Sequence, residues 1–211
     1  MPSDPSSDAY EIRDVAALRS IIGEATPGIS EKNQPALNRH SRAFIARSPF
    51  LILSTSSLSG QMDASPKGDA PGFVHIVSDS EIVIPDRPGN KLVYGHLNVL
   101  ENPRVGILMM IPGTRETLRI NGTAVLTADP ELLASLAARG KPATLAIRIR
   151  IEEVFFHCAK AFIRSKLWDH QSWAAPHKVS FGEMFAEMRG QDSEVAEKID
   201  QMVEAGYEQN L

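Results

Sequence analysis

The chain has 211 residues, of which 43% are hydrophobic and 23% charged, a balance that allows one globular domain with small additions. Its formal net charge of −4 and its pI of about 5.9 argue against a nucleic-acid-binding surface and against a polybasic membrane patch. The single cysteine, Cys158, excludes an internal disulfide, and no apolar run approaches the roughly 18 residues of a membrane span, so we expect a cytoplasmic protein.

The first 34 residues are predicted to form a loosely held tail and a short helix. Residues 1–8 carry neither the basic start nor the apolar core of a signal peptide. Asp8 is a candidate N-cap, and Gly23 is a typical helix stop. The helix between them places its apolar side chains on one face, at Val15, Leu18, Ile21 and Ile22.

Residues 35–170 are predicted to form a mainly β domain with flanking helices. A helix is expected from about Pro35 to Arg47, because Pro35 suits a first turn and Ser48-Pro49 follows the end. The β-forming runs that come next have a spacing of roughly 8–12 residues, which is typical of an antiparallel sheet or barrel. We predict strands at 50–56, 62–67, 72–78, 81–85, 104–111, 117–127 and 143–156, and helices at 91–100, 130–138 and 157–166.

The remaining residues, 171–211, are predicted to form a helical extension. Ser180 is a candidate N-cap and Gly190 a candidate stop for a helix that carries Met184, Phe185 and Met188. The last helix is amphipathic, with its apolar side chains at Val195, Ile199, Met202 and Val203.

The segment Ile82–Lys91 carries the clearest local signal for a ligand. Its prolines fix the backbone angle φ, and Gly89 allows a chain path that is closed to other residues. A rigid turn offers backbone N–H groups, and Arg87 and Lys91 add positive charge, a combination that suits a phosphate group. The chain has neither a Walker loop nor a G-x-G-x-x-G dinucleotide fingerprint. A solvated turn with two cations is the alternative.

Six short blocks of sequence form a family pattern. The most specific block is Ile84–Lys91, and the block Asn102–Val105 is common across a wide family. The others are Asp63–Asp69, Glu116–Gly122, Lys141-Pro142, and His157–Lys160 followed by Arg164-Ser165 and Trp168. Together they resemble the FMN-binding split β-barrel family of pyridoxamine 5′-phosphate oxidase-like proteins. The resemblance implies a split β-barrel of six or seven antiparallel strands that binds FMN.

In that family two chains form a homodimer, and each FMN lies in a cleft between them. The resemblance implies that strand two meets the isoalloxazine edge with Ala64, Ser65, Pro66 and Lys67. It implies that the phosphate and ribityl chain lie along Ile84, Pro85, Asp86, Arg87, Asn90 and Lys91. Asn90-Lys91 stands where the oxidases carry an Arg-Lys pair, and Arg87 supplies the displaced cation. The oxidases' substrate motif, Arg-x-His-x-Arg, has no counterpart, so oxidation of pyridoxamine phosphate is not expected.

Several candidate residues have a plain structural alternative. Lys67 is either an exposed strand-end lysine or a cation near the flavin N1–C2=O edge, where it would stabilise anionic reduced flavin. Arg119 either forms a salt bridge within the sheet or faces the flavin. Arg164 and Trp168 either pack beside a helix end or help to close the flavin pocket from the partner chain.

No metal site and no catalytic residue emerge from the sequence. His157, Cys158 and His170 fit no zinc spacing, and Cys158 is expected to be a buried structural thiol. Ser65 has no histidine partner at a telling spacing. Two functions stay open: an FMN-dependent oxidoreductase acting on a small molecule, or a module that binds FMN, haem or deazaflavin for storage, sensing or electron transfer. FAD is not expected, because a dinucleotide fingerprint is missing.

Overall fold

The computed structural model describes residues 10–209. The chain divides into two units, residues 1–33 and 34–211, and the first contains helix α1 (Val15–Ile22). Asp14 caps α1 by accepting the Ala17 N–H, and Gly23 ends the helix with a φ of 84°. The predicted stop at Gly23 is confirmed. The predicted start was wrong, because Asp14 is the N-cap; Asp8 lies outside the described residues.

The second unit is built around one antiparallel sheet of seven strands. Its strands are β1 (Phe50–Ser56), β2 (Met62–Gly68), β3 (His75–Ile76), β4 (Glu81–Asp86), β5 (Arg104–Met110), β6 (Thr117–Thr127) and β7 (Leu145–His157). Their order across the sheet is β2-β1-β5-β6-β7-β4-β3, and every neighbouring pair is antiparallel. The sheet does not close, since β2 and β3 are its two edges. The predicted mainly β domain of seven antiparallel strands with flanking helices is confirmed.

Alternation along the strands builds the core. β1 buries Leu51 and Leu53, which belong to the same core cluster as Ile84 of β4, Ile120 of β6 and Ile147 of β7. Each fully buried side chain of this size contributes about 1.5–3 kcal/mol relative to exposure, so this cluster is the main source of stability. The same burial fixes the register, because a one-residue slip would turn the apolar side chains of a strand to the opposite face.

β6 and β7 approach closely at a β-bulge. Their register shifts between Asn121 and Gly122. A Cβ on Gly122 would lie 2.1 Å from the Arg150 carbonyl oxygen, which is backbone and has no room to move. Glycine is therefore required where the two longest strands meet.

Four helices flank the sheet: α2 (Arg39–Ile45), α3 (Tyr94–Glu101), α4 (Pro130–Ser135) and α5 (Lys160–Ser165). All were predicted, and all are shorter than expected. α2 begins after Asn38, whose side chain accepts backbone N–H groups, instead of at Pro35. α3 begins only after Lys91 and Val93, which have φ values of 63° and 50° and interrupt a right-handed helix.

The third strand differs most from its prediction. The sequence pattern indicated a strand over residues 72–78, but only His75–Ile76 pair, and only with β4. Gly72 has a φ of 85°, outside the strand region of backbone space. A short edge strand also leaves few unpaired backbone groups for another chain to join.

Two helices, α6 (Phe181–Arg189) and α7 (Ser193–Gln209), follow the sheet. The predicted cap at Ser180 and the predicted stop at Gly190 are both confirmed. None of the helices in the described part of the chain combines the length and the hydropathy that a bilayer crossing requires. The domain boundaries proposed above, after residues 34 and 170, stay predictions.

The α6–α7 hairpin is held by short contacts near the start of α6. Asp200 accepts the Ser180 hydroxyl at 2.6 Å and the Gly182 N–H at 2.8 Å. A Cβ on Gly182 would lie 1.9 Å from the Ala196 carbonyl oxygen, so the two helices touch backbone to backbone. Helix α6 therefore packs against α7 through small residues, and its large side chains lie on a different face.

Candidate functional site

A cavity of about 490 Å³ opens where β2 and β4 end and where the chain turns after α4. It contains five of the predicted cofactor residues: Pro66, Lys67, Pro85, Asp86 and Arg87. The other lining residues are Gly68, Asp69, Pro88, Gly89, Ala138, Arg139, Lys141 and Pro142. The structure thus brings the end of the second strand and the Pro-Gly turn together, as the sequence predicted.

Lys67 reaches this cavity from the edge strand β2. Alternation points Ser65 and Lys67 to the same, partly buried side of the strand. The Lys67 ammonium lies 2.7 Å from Asp86 Oδ1, and both side chains are largely buried. Burial raises the pKa of Asp86, but hydrogen bonding and positive charge from His96 and Lys67 outweigh it, so the pKa lies below its usual value. Lys67 and Asp86 therefore form an ion pair in the cavity wall.

His96 stands behind this ion pair and was missed by sequence reasoning. Its Nε2 atom lies 3.5 Å from Asp86 Oδ1, which is within ion-pair distance and at the limit of a hydrogen bond. Both ring nitrogens are buried and lack a well-aligned hydrogen-bond partner among residues 10–209. A buried polar atom without a hydrogen bond lowers the stability of the fold by about 1–3 kcal/mol. Such atoms are rare in native proteins and often mark a functional site. No motif marks His96, because it is a single residue within a helix.

Arg87 also lines the cavity, and two hydrogen bonds hold its side chain in place. Its Nε atom donates to Asp69 Oδ2 at 2.8 Å, and its Nη1 atom donates to the Leu136 carbonyl at 3.0 Å. Burial raises the pKa of Asp69, but the Ala70 N–H and the bond and charge of Arg87 outweigh it, so the pKa falls below its usual value. Arg87 therefore links the segment after β2, at Asp69, to the end of α4, at Leu136.

A tight turn after α4 adds two cations that were not among the predicted site residues. Ala138 and Lys141 pair across the turn, and Arg139 and Gly140 occupy it with φ values of 51° and 75°. Arg139 and Lys141 are exposed, line the cavity, and form no ion pair with any residue between 10 and 209. The family block Lys141-Pro142 is the sequence signal that could have located this turn.

Charge in the cavity is strongly unbalanced. The lining contains four cations, at Lys67, Arg87, Arg139 and Lys141, and two carboxylates, at Asp69 and Asp86. Both carboxylates neutralise a neighbouring cation within the wall. The positive charge in excess lies on the turn after α4, where it is open to a ligand.

Five other predicted residues lie close in sequence but outside the cavity lining. Ala64 and Ser65 precede Pro66 on β2, and the Ser65 hydroxyl donates to Asp63 at 2.6 Å. Ile84 is fully buried in the core, so only its backbone can face a ligand. Asn90 turns its side-chain oxygen to the Leu92 N–H instead. Lys91 is also outside the lining and is exposed.

The predicted residues Arg119, Trp168 and Arg164 are not brought to this cavity. Arg119 lines a second cavity of about 400 Å³ and lies over the Phe155 ring, 5.1 Å from its centroid. Trp168 lines a third cavity of about 310 Å³, donates its indole N–H to the Thr114 carbonyl and stacks on Phe162. Arg164 is exposed and lines none of the three.

The prediction of a buried thiol at Cys158 was wrong. The thiol is exposed beside the second cavity, because β7 ends one residue earlier and the chain leaves the sheet. In the described range of the chain, no group of His, Cys, Asp and Glu side chains has the arrangement of a metal site.

Residues 37–158 match the sequence model of the family described as "Pyridoxamine 5'-phosphate oxidase". The match spans more than half of the chain. The chain belongs to the pyridoxamine 5′-phosphate oxidase family. All seven strands and all of the residues that line the cavity lie within the match. No curated protein matches the chain.

Several solved structures are similar to this chain over part of its length and are distant from it in sequence. HupZ from Group A Streptococcus is 16% identical over 57% of this chain and 93% of that one, with a TM-score of 0.47. An FMN-binding protein from Syntrophomonas wolfei is 11% identical over 56% of this chain and 88% of that one, with a TM-score of 0.42. An F420 reductase is 14% identical over 56% of this chain and 98% of that one, with a TM-score of 0.43. Identities this low concern the fold alone.

Proposed function

We propose that this family member binds FMN and acts as an FMN-dependent oxidoreductase on a small molecule. The observation that carries the proposal is the excess of positive charge in the cavity formed by β2, β4 and the turn after α4. A phosphate monoester carries about −1.5 to −2 charges at neutral pH, which matches that excess. The cavity volume of about 490 Å³ lies within the usual range for small-molecule and cofactor sites.

Individual residues have distinct roles in this proposal. Arg139 and Lys141 would hold the phosphate, since their charges are not neutralised within the described chain. Lys67, which forms an ion pair with Asp86, would face the flavin ring with its positive charge. FMN supplies the hydride and electron transfer, while the protein supplies position and charge. Arg87 would hold the shape of the wall and add a further cation.

A homodimer completes the proposal. Arg119 and Trp168 line cavities other than the one that holds Lys67 and Arg87. Within one chain, these two residues lie away from the cavity. A second chain can contribute such residues to a flavin site across an interface. We therefore expect Arg119 and Trp168 to reach the flavin of the partner.

A non-catalytic flavin-binding module is the second candidate. No histidine, cysteine or tyrosine lines the described cavity, and the pKa values of its two carboxyl groups, Asp69 and Asp86, are lowered. Groups that stay ionised at neutral pH are poor proton donors. Binding without turnover would need none of them to donate a proton.

A titration tests the phosphate site. Arg139→Ala and Lys141→Ala should each weaken FMN binding by about ten- to a hundred-fold, because a hydrogen bond to a charged group contributes about 1.5–3 kcal/mol. Riboflavin, which has no phosphate, should bind all variants equally, and Lys198→Ala on α7 is the matched control. Overlaid FMN titrations for wild type and Arg139→Ala would refute the site.

Two further measurements separate the candidate functions. The absorption spectrum of the purified protein distinguishes flavin from haem and from empty protein. Steady-state oxidation of NADH or NADPH by the FMN-loaded protein should exceed that of free FMN if the protein is an enzyme. FAD binding as tight as FMN binding would contradict the proposed monophosphate site.

A further inference from the structure

The α6–α7 hairpin presents an apolar stripe that is partly exposed, and the contact with it that the structure shows is the Arg189 guanidinium 5.4 Å from the centre of the Phe185 ring. Gly182 and Ala186 face α7, whereas the large side chains of α6 recur at helical spacing on another face. These side chains are Phe181, Met184, Phe185 and Met188, and all four are exposed. Met188 has the largest exposed fraction, 79%.

An exposed apolar stripe of this kind predicts that α6 packs against a further surface. Helices as short as α6 are marginal in water, and most helical stability in proteins comes from packing an apolar face. α6 packs on α7 through small residues, so this contact leaves the stripe open. A surface that covers the stripe would supply the missing packing.

The charge of the hairpin restricts what that surface can be. Residues 180–209 contain eight acidic side chains and only two basic ones, whereas the rest of the chain has a slight excess of positive charge. A membrane with anionic lipids would repel this hairpin. The matching surface must be both apolar and cationic.

The same chain contains such a surface around α5, which we call the α5 patch. It consists of Arg115, Lys160, Ile163, Arg164, Lys166 and Leu167. Its four cations form no ion pair with a described residue, and its two aliphatic side chains are 54% and 44% exposed. The third cavity is lined by Arg115, Ile163 and Lys166 of the patch, together with Trp168 and one carboxylate, Asp169. The patch therefore carries both apolar and cationic groups on an open surface.

We propose that the hairpin of one chain docks on the α5 patch of a second copy. Within one chain both surfaces are open: Met188 and Ile163 are each more than half exposed. A two-fold dimer allows both chains to make the exchange at once, which covers two stripes and two patches without leaving a free end. The inference rests on the homodimer of the proposed function and adds a specific contact to it.

Cys158 provides a chemical probe for this contact. It is the only cysteine, it is exposed, and it lies two residues before the α5 patch residue Lys160. Two differently tagged chains would be co-expressed: one with Met188→Cys and Cys158→Ser, the other wild type. A flexible bis-maleimide can then join the two chains only from the hairpin of one to Cys158 of the other.

We expect a cross-linked heterodimer, with a yield about tenfold above that of a control chain with Gln201→Cys and Cys158→Ser. Gln201 is exposed on the polar side of α7. Lys160→Glu with Arg164→Glu in the wild-type partner should reduce the yield to that of the control. Equal yields for positions 188 and 201 would overturn the proposal.

The remaining outcomes also decide the question. A chain that keeps Cys158 and carries Met188→Cys, and that cross-links only within itself, would show that the hairpin docks on its own patch. Light scattering and FMN titration on the same samples distinguish the hairpin exchange from dimer formation and from FMN binding. A dimer that binds FMN without the cross-link refutes the exchange alone, whereas a monomer refutes both the exchange and the dimer.

Discussion

Arg87 shows how a residue chosen for one role can have another. From the sequence, its guanidinium was expected to face a phosphate. In the structure it donates to Asp69 and to the Leu136 carbonyl, so two of its three nitrogens hold the protein together. Its direct contact with a phosphate stays a prediction, and a structural role is now added.

The first prediction concerns Arg87→Ala. The change leaves the Asp69 carboxylate and the Leu136 carbonyl without this partner in a partly buried wall, which should lower the free energy of unfolding by about 1–3 kcal/mol. FMN and riboflavin should both bind more weakly, because the wall itself loosens. Urea unfolding and paired titrations measure these effects. Unchanged stability with loss of FMN binding alone would favour the phosphate contact instead.

A second prediction concerns the acid side of the stability profile. The pKa values of Asp69 and Asp86 are lowered in the folded protein, so the unfolded chain binds protons more readily. Their contribution is fully present above the ordinary carboxyl pKa of about 3.9 and is lost as the pH falls through the lower folded values. Asp86→Asn should therefore flatten the loss of stability below about pH 4, measured by urea unfolding, whereas Glu194→Gln on α7 should not.

At the scale of secondary structure, the strands were easier to predict than the helix boundaries. Runs of β-forming residues between turn residues can be read from the sequence, and they located β1, β2 and β6 within one residue of their observed ends. The start of α3 depends instead on positive φ values at Lys91 and Val93, which these residue types rarely adopt. The side-chain sequence therefore carries no signal for that boundary.

The third prediction tests the contact between β6 and β7. In Gly122→Ala the new methyl group would overlap the Arg150 carbonyl, so the strands must separate, at a cost of about 1–3 kcal/mol or more. Gly106→Ala on β5 is the matched control, because its nearest neighbour would be a side-chain atom at 3.4 Å. Equal urea midpoints for the two variants would show that the close approach is unimportant.

At the scale of the whole molecule, the cavity joins three segments that are distant in the sequence. The resemblance located β2 and the turn after β4, because both contain recognisable motifs. Lys141 belongs to a block of the family pattern, Lys141-Pro142, but neither it nor Arg139 was assigned to the site, because the fold brings their turn beside Asp86 and Arg87. His96 was missed for a related reason: its position behind Asp86 depends on how α3 packs.

The fourth prediction is the homodimer. A partner chain would cover the exposed apolar side chains on α6 and around α5. It would also bring together the flavin-site candidates that lie on separate surfaces of one chain. Obligate interfaces of this kind bury on the order of 2,000 Å² or more. Light scattering at micromolar concentration should give twice the chain mass of 23.1 kDa. A stable monomer would contradict this prediction.

The open turn that carries Arg139 and Lys141 has a practical consequence. Exposed charges are screened over a Debye length of about 10 Å at 0.1 M salt and about 3 Å at 1 M, so cofactor retention should depend on ionic strength. Inorganic phosphate or sulfate would compete for the same two side chains. Protein purified in concentrated phosphate should therefore emerge colourless, and the same protein prepared in dilute chloride with added FMN should emerge yellow.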